Sequence, residues 1–285
     1  MMMKKIVISS IFLLVFCTLT AQTIKIWNNT SVKSNWSELT VFLPDSTTNN
    51  HTAIIICPGG SYHHLGMKHE GYEVAKKMVK EGFTAFVLKY RVGMWNHKHP
   101  AMIQDIQRSI QIVKERANLY GYFQESVGLI GFSAGGHLVG SAATYFEENY
   151  LLELGIVPTV SLKPLFTVMV YPVVTMFKPF GHVKSRKNLL GKNPSDSLIN
   201  KMSLEKNVTP NMANILILQA KDDKVVNYNN ALLLDSALSA KSVDSKLIMY
   251  NTGGHGFGAF PPEQSEFHSW FNDVMIWLKE IKITN

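Results

Sequence analysis

Ser133 stands in the run Gly131-Phe132-Ser133-Ala134-Gly135, directly after the apolar stretch 127–130 and directly before a small-residue stretch that opens at Ala134. A strand that passes into a helix around one serine must turn so tightly that a side chain at Gly131 or Gly135 would collide with neighbouring backbone. The helix start that follows offers N–H groups and a favourable dipole to a developing negative charge. These are the requirements of a nucleophile that attacks a carbonyl. A serine hydroxyl is weakly nucleophilic at neutral pH, so it needs a base to take its proton and a carboxylate to orient that base. His255, among the glycines of the run Gly253-Gly254-His255-Gly256, follows another apolar stretch and is the expected base. The chain has 10 histidines. His63 and His64 lie in a loop near the serine and His137 lies on the helix after it, while the remainder fall in loops or at helix ends. In the chain order serine, acid, histidine, the acid belongs in the loop after 215–219, where Asp222 and Asp223 stand. Asp223, followed two residues on by the pair Val225-Val226, fits the acid position better, with Asp222 as the alternative.

Acyl transfer also needs N–H donors for the oxyanion of the tetrahedral intermediate, each contributing ~3 kcal/mol. The loop Pro58-Gly59-Gly60-Ser61-Tyr62 follows the apolar run 53–57 and is placed to supply them. Gly60 and Ser61 are the expected donors from this loop and Ala134 the donor from the serine turn. Tyr62 and Trp95, in loops near the reacting groups, are expected to contact substrate.

Short apolar runs alternate with amphipathic stretches, the pattern of strands and crossover helices in a mostly parallel sheet. Strands are expected at 23–27, 38–43, 53–57, 84–90, 127–130, 166–171, 215–219 and 246–250, the last six forming a buried parallel core. Helical spacing marks 70–80, 100–117, 134–147, 229–240 and 263–281. In the second of these, Met102, Ile103, Ile106, Ile110 and Val113 recur on one face. Residues 174–210 are polar and punctuated by prolines, which is the character of a cap or lid insertion.

A chain of 285 residues, 46% hydrophobic and 17% charged, can bury a sizeable core. Residues 1–21 show a charged start, a short apolar middle and a small-residue exit, so they are expected to be a signal peptide cleaved near Ala21. The protein would then be periplasmic or secreted, with no transmembrane segment in its mature form and 22–285 as a single catalytic domain. Cys17 offers the alternative of a lipid anchor, but bulky Val15 and Phe16 precede it. Cys57 is expected to be a small buried residue ending a strand. Net charge is +7, two units of it from Lys4 and Lys5. The remaining lysines and arginines are scattered singly among acids, which argues against nucleic acid as a partner.

With the runs PGGSY, EGYEVAKKMVKEGFTAFVLKYR, HPAMIQDIQRSIQIVKERA, GLIGFSAGGHL, DDKVV and GGHGFG in place, the chain resembles bacterial feruloyl-esterase-like and acetylxylan-esterase-like α/β hydrolases, near the hormone-sensitive-lipase group. The resemblance implies an α/β-hydrolase fold: a mostly parallel sheet of about eight strands with helices on both faces and a small cap. It further implies a serine esterase acting on a small ester or an acylated oligosaccharide, such as O-acetylated or feruloylated cell-wall carbohydrate. No metal or organic cofactor is expected. Three residues depart from the family pattern: Ser61 replaces the third glycine of the oxyanion loop, Gln219 replaces a histidine before the acid, and Asn227 replaces a proline after the valines. Two other functions share the fold. A prolyl-oligopeptidase-like peptidase would carry an additional N-terminal propeller, and a non-catalytic binding protein would usually lack one of the required groups.

Overall fold

A computed structural model describes residues 22–284; the expected signal peptide and Cys17 lie outside them. Eight strands form one sheet in the order β1-β2-β4-β3-β5-β6-β7-β8. They are β1 (Gln22–Lys25), β2 (Glu38–Phe42), β3 (Ala53–Cys57), β4 (Thr84–Lys89), β5 (Val127–Phe132), β6 (Phe166–Val170), β7 (Asn214–Ala220) and β8 (Ser245–Tyr250). The six strands from β3 to β8 are parallel, and β1 and β2 pair antiparallel at one edge. β3, β5 and β6 are buried along their whole length, as their runs of Ile, Val, Leu and Phe require. β8 differs from the expected buried strand. It has a neighbour on one side only, so most of its residues are half-buried and Ser245 and Lys246 are tolerated in it.

Eight α-helices accompany the sheet: α1 (Glu73–Lys80), α2 (Ala101–Glu115), α3 (Ala117–Tyr120), α4 (Ala134–Thr144), α5 (Val183–Leu190), α6 (Asp196–Lys201), α7 (Asn229–Ala240) and α8 (Trp270–Glu280). Strand alternation sends successive side chains to opposite faces, so two apolar cores form. Ala53, Ile55 and Cys57 of β3 pack with Ile106 of α2, Leu138 of α4 and Leu234 of α7. Ile54 and Ile56 pack on the other face with Met78 of α1 and Trp277 of α8. Two expected helices start irregularly. The first opens with a π-helical turn, Met67–Tyr72, and the last with a 3₁₀ turn, Glu266–Ser269. Within 174–210, α5 and α6 are short, and the Ser195 hydroxyl accepts from the Leu198 amide to cap α6.

The antiparallel edge is fastened to the parallel body by a buried carboxylate. Asp105 on α2 is fully buried and accepts from Trp27 Nε1, Ser37 Oγ and the Arg91 main-chain amide at 2.7, 3.0 and 2.6 Å. The Arg91 guanidinium lies 2.8 Å from it. Removing one partner of a buried ion pair strands the other charge at a cost of about 3 to 5 kcal/mol. Asp105→Ala should therefore lower unfolding stability by about that amount, read as a reduced urea midpoint at unchanged m-value.

Candidate active site

Three residues far apart in sequence meet at the carboxyl ends of β5, β7 and β8. Ser133 turns β5 into α4 with φ 53° and ψ −117°, a conformation that side chains other than glycine rarely adopt. A Cβ on Gly131 would lie 2.2 Å from the Gly135 oxygen, and one on Gly135 would lie 2.1 Å from the Cys57 oxygen. Both flanks of the serine must be glycine for the turn to close against β3. Cys57 itself is buried at the end of that strand, and burial pushes its thiol far above the usual range.

His255 Nε2 lies 2.9 Å from Ser133 Oγ, and His255 Nδ1 lies 2.7 Å from Asp223 Oδ2. The carboxylate only accepts, so this network assigns the ring proton to Nδ1 and leaves Nε2 to accept from the serine hydroxyl. Asp223 is fixed from behind. Its Oδ1 accepts from the amides of Val225 and Val226 at 2.8 and 2.9 Å, and Gln219 Nε2 donates to Oδ2 at 3.1 Å. Gln219 thus holds the acid in a place where the family pattern has a histidine. Asp222 is exposed and does not reach the imidazole; its Oδ1 accepts from the Gly254 amide at 2.8 Å, which steadies the histidine loop. Asn227, standing where a proline was expected, accepts from the Asn229 amide at 2.9 Å and so starts α7 through its side chain.

The loop 58–62 lies against the serine, since a Cβ on Gly59 would sit 2.9 Å from Ser133 Cβ. Every carbonyl in it is occupied. Pro58 O accepts from Tyr90 Oη at 2.7 Å, Gly59 O from the Gly66 amide at 3.0 Å, and Gly60 O from His63 and His64 amides at 2.9 and 3.1 Å. Ser61 O accepts from Asn188 Nδ2 of α5 at 2.8 Å, and Tyr62 O from the Gly93 amide at 2.6 Å. The amides of Gly60, Ser61 and Ala134 donate to no acceptor among the described residues. Ser61 and Tyr62 both have positive φ, 57° and 55°, so the loop departs from extended backbone at residues that are not glycine. That arrangement leaves three amides beside the serine free to donate, which is what stabilising an oxyanion requires.

Glu70 was not singled out from the sequence, yet it joins two of these loops. It is buried, with Oε2 accepting from the Gly59 amide at 2.8 Å and Oε1 accepting from Tyr171 Oη at 2.8 Å. Desolvation, reinforced by the Glu70 charge, pushes the Tyr171 phenol upward, so it keeps the proton it donates. Tyr171 Oη also accepts from the Gly258 amide at 3.0 Å, and its ring lies 4.7 Å from the His255 ring. The available signal was the pair Glu70-Gly71 inside an expected helix. A Cβ on Gly71 would meet Val87 Cγ1 at 2.8 Å, so glycine lets this turn lie on the sheet and take its carboxylate inside.

Of the two expected substrate contacts, one is internal and the other stands exposed. Tyr62 is corrected to an internal anchor: it is 1% exposed, and its hydroxyl donates to His137 Nδ1 at 2.8 Å. An apolar ring with one polar tip is best served by burial with a partner, and His137 on α4 supplies it. Trp95 is 55% exposed on a 3₁₀ turn, Gly93–Trp95, tilted 5.7 Å from the Trp36 ring. It lines neither of the two clefts beside the serine. The smaller cleft, about 190 Å³, is lined by Gly60, Ser61, His64, Ser133, Val225 and His255. A larger one of about 810 Å³ adjoins it between 179–187 and 223–227. Among the described residues no group of three or more His, Cys, Asp or Glu is placed to hold a metal ion, and no helix is long and apolar enough to cross a membrane.

A mostly parallel sheet that presents a serine after β5, a carboxylate after β7 and a histidine after β8 defines an α/β hydrolase. Within that class the chain belongs to the BD-FAE family, whose model matches residues 39–238. It is 28% identical, over 98% of its length, to an acetylxylan esterase of Xylanibacter ruminicola. It is 31% identical, over 71% of its length, to endo-1,4-beta-xylanase B of Butyrivibrio fibrisolvens. The chain spans 55% and 32% of those two relatives. Among solved structures it resembles an acetyl ester-xyloside bifunctional hydrolase from Caldicellulosiruptor lactoaceticus, with TM-score 0.84, 30% identity, and coverage of 93% of this chain and 98% of that one.

The anchor beneath the loop 58–62 gives the fold a pH signature. His137 is fully buried, accepts from Tyr62 and lies 2.8 Å from the Met202 carbonyl through Nε2. Burial lowers its pKa from 6.5 to about 4. As pH falls below 6.5 the unfolded chain takes the proton first, so stability present above that pH is lost until the folded-state value near 4 is reached. Urea unfolding at pH 4.5 should show a loss of about 2 to 3 kcal/mol from this group relative to pH 7, and a shallower decline in His137→Asn.

Proposed function

We propose that this chain is a serine esterase that removes acetyl groups from cell-wall carbohydrate through an acyl-enzyme on Ser133. The observation that carries the reading is the alignment of Asp223, His255 and Ser133 at 2.7 and 2.9 Å beside three amides that donate to nothing else. Ser133 Oγ attacks the ester carbonyl carbon while His255 Nε2 takes its proton and Asp223 stabilises the imidazolium. The carbonyl oxygen, now an oxyanion, accepts from Gly60, Ser61 and Ala134. Collapse breaks the bond to the sugar oxygen, which leaves as an alcohol carrying the proton from His255. Water then attacks the acyl-serine with His255 as base, releasing the carboxylic acid and restoring the serine. The chemistry calls for no metal or organic cofactor.

Acetyl is favoured over feruloyl by the acetyl esters in the names of two relatives. We read 174–210 as a cap over the substrate side, and residues 1–21 as the signal that exports the protein to the periplasm or medium.

Turnover of p-nitrophenyl acetate should begin with a burst and fall by on the order of 10⁴-fold or more in Ser133→Ala. A variant with wild-type turnover would overturn the reading. Asp223→Asn should lose on the order of 10⁴-fold in kcat through the wrong imidazole tautomer, against a much smaller loss for Asp222→Asn. Glu70→Gln, acting only through the loops it joins, should lower kcat by roughly tenfold with KM nearly constant, because it slackens one oxyanion donor without removing it.

A further inference from the structure

The larger cleft carries a charge pattern that the chemistry at Ser133 does not use. It is about 810 Å³, a size suited to an organic ligand of several rings, and it shares Val225 with the cleft at the serine. Lys184, Lys187 and Lys224 line it, all exposed, and none forms an ion pair among the described residues. Some surface lysines elsewhere are matched with acids, as in Lys76–Glu73, Lys201–Glu148 and Lys246–Glu280; what sets Lys184, Lys187 and Lys224 apart is that they line one cleft together. Asp223 is the only acid among the lining residues, and its two oxygens are already taken by His255, Gln219 and two amides. Between the cations lie apolar surfaces that stay in contact with water: Val183 is 69% and Val225 50% exposed, and Phe180 is half-buried. Val183 also opens α5, a helix start with no side-chain cap.

Unpaired cations around exposed apolar patches match a ligand that is both anionic and able to lay C–H faces on hydrocarbon. We propose that this cleft is a subsite for an acidic sugar, so that the esterified carbohydrate is a uronate-bearing one whose carboxylate pairs with Lys184, Lys187 and Lys224. This rests on the esterase reading for the ester alone; the cleft's preference for acid is separate from turnover. The field of Lys184 reaches both clefts. Burial first, then the Lys184 charge, lowers His64 at the serine, and the same lysine contributes to lowering His182 in the larger cleft.

The test measures binding and turnover separately on the full chain. Calorimetry compares a xylotetraose carrying one glucuronate with plain xylotetraose, neither of them esterified, at low salt. The acidic probe should bind about tenfold more tightly, the sum expected of several exposed ion pairs. That advantage should shrink to less than twofold in 0.5 M NaCl and in Lys184→Gln/Lys187→Gln/Lys224→Gln. Equal affinity for both probes in the wild-type chain overturns the subsite, whatever the esterase assay gives. So does an advantage that survives both salt and the triple substitution. Loss of p-nitrophenyl acetate turnover with the acid preference intact would instead overturn the esterase reading and leave the subsite standing.

Discussion

The reversal of the chain at Ser133 constrains everything around it. β5 passes into α4 within one residue, and that residue holds a backbone conformation costing on the order of 1 to 3 kcal/mol. Such strain persists only where the surroundings leave no alternative. Here the Cys57 and Pro58 carbonyls pack against Gly135, the Val170 carbonyl accepts from the Ser133 amide at 3.0 Å, and the Ser133 carbonyl accepts from Val173. The backbone thereby places Ser133 at the carboxyl end of β5.

The loop 58–62 solves a different problem by hydrogen-bond accounting. A loop with idle carbonyls could turn any of them toward the reacting centre, where negative oxygen would repel a developing oxyanion. Because all five carbonyls from Pro58 to Tyr62 are engaged elsewhere, peptide planarity fixes the opposite ends of those units. Glu70 takes the one amide, that of Gly59, closest to the sheet, and leaves its two successors free. A buried carboxylate is costly unless it is fully hydrogen-bonded, and this one receives an amide and a phenol.

The sheet, its helices and the meeting of Ser133, Asp223 and His255 were legible because they follow from periodicity, chain order and glycine placement. The parallel core from 53–57 to 246–250 reads directly as apolar runs, and the choice of Asp223 over Asp222 follows from spacing to Val225. What escaped was decided by tertiary position. Tyr62 beside a glycine loop looks like a surface aromatic until His137, from the other side of the chain, meets its hydroxyl. Glu70 looks like an exposed helix residue until Gly71 allows its turn onto β4. Gln219 and Asn227 depart from the family pattern in type, yet each supplies the hydrogen bond its place requires, which a comparison of letters alone does not show.

The bond from Asn188 of α5 to the Ser61 carbonyl crosses from the segment that lines the larger cleft to the glycine loop beside Ser133. Tyr62, through His137 to Met202, makes a second crossing between the same two regions. The larger cleft and the loop beside the serine are consequently not separable modules in this protein. Evolutionary drift in the 174–210 segment is therefore felt at the loop beside Ser133, and only changes that leave these two struts standing spare that loop.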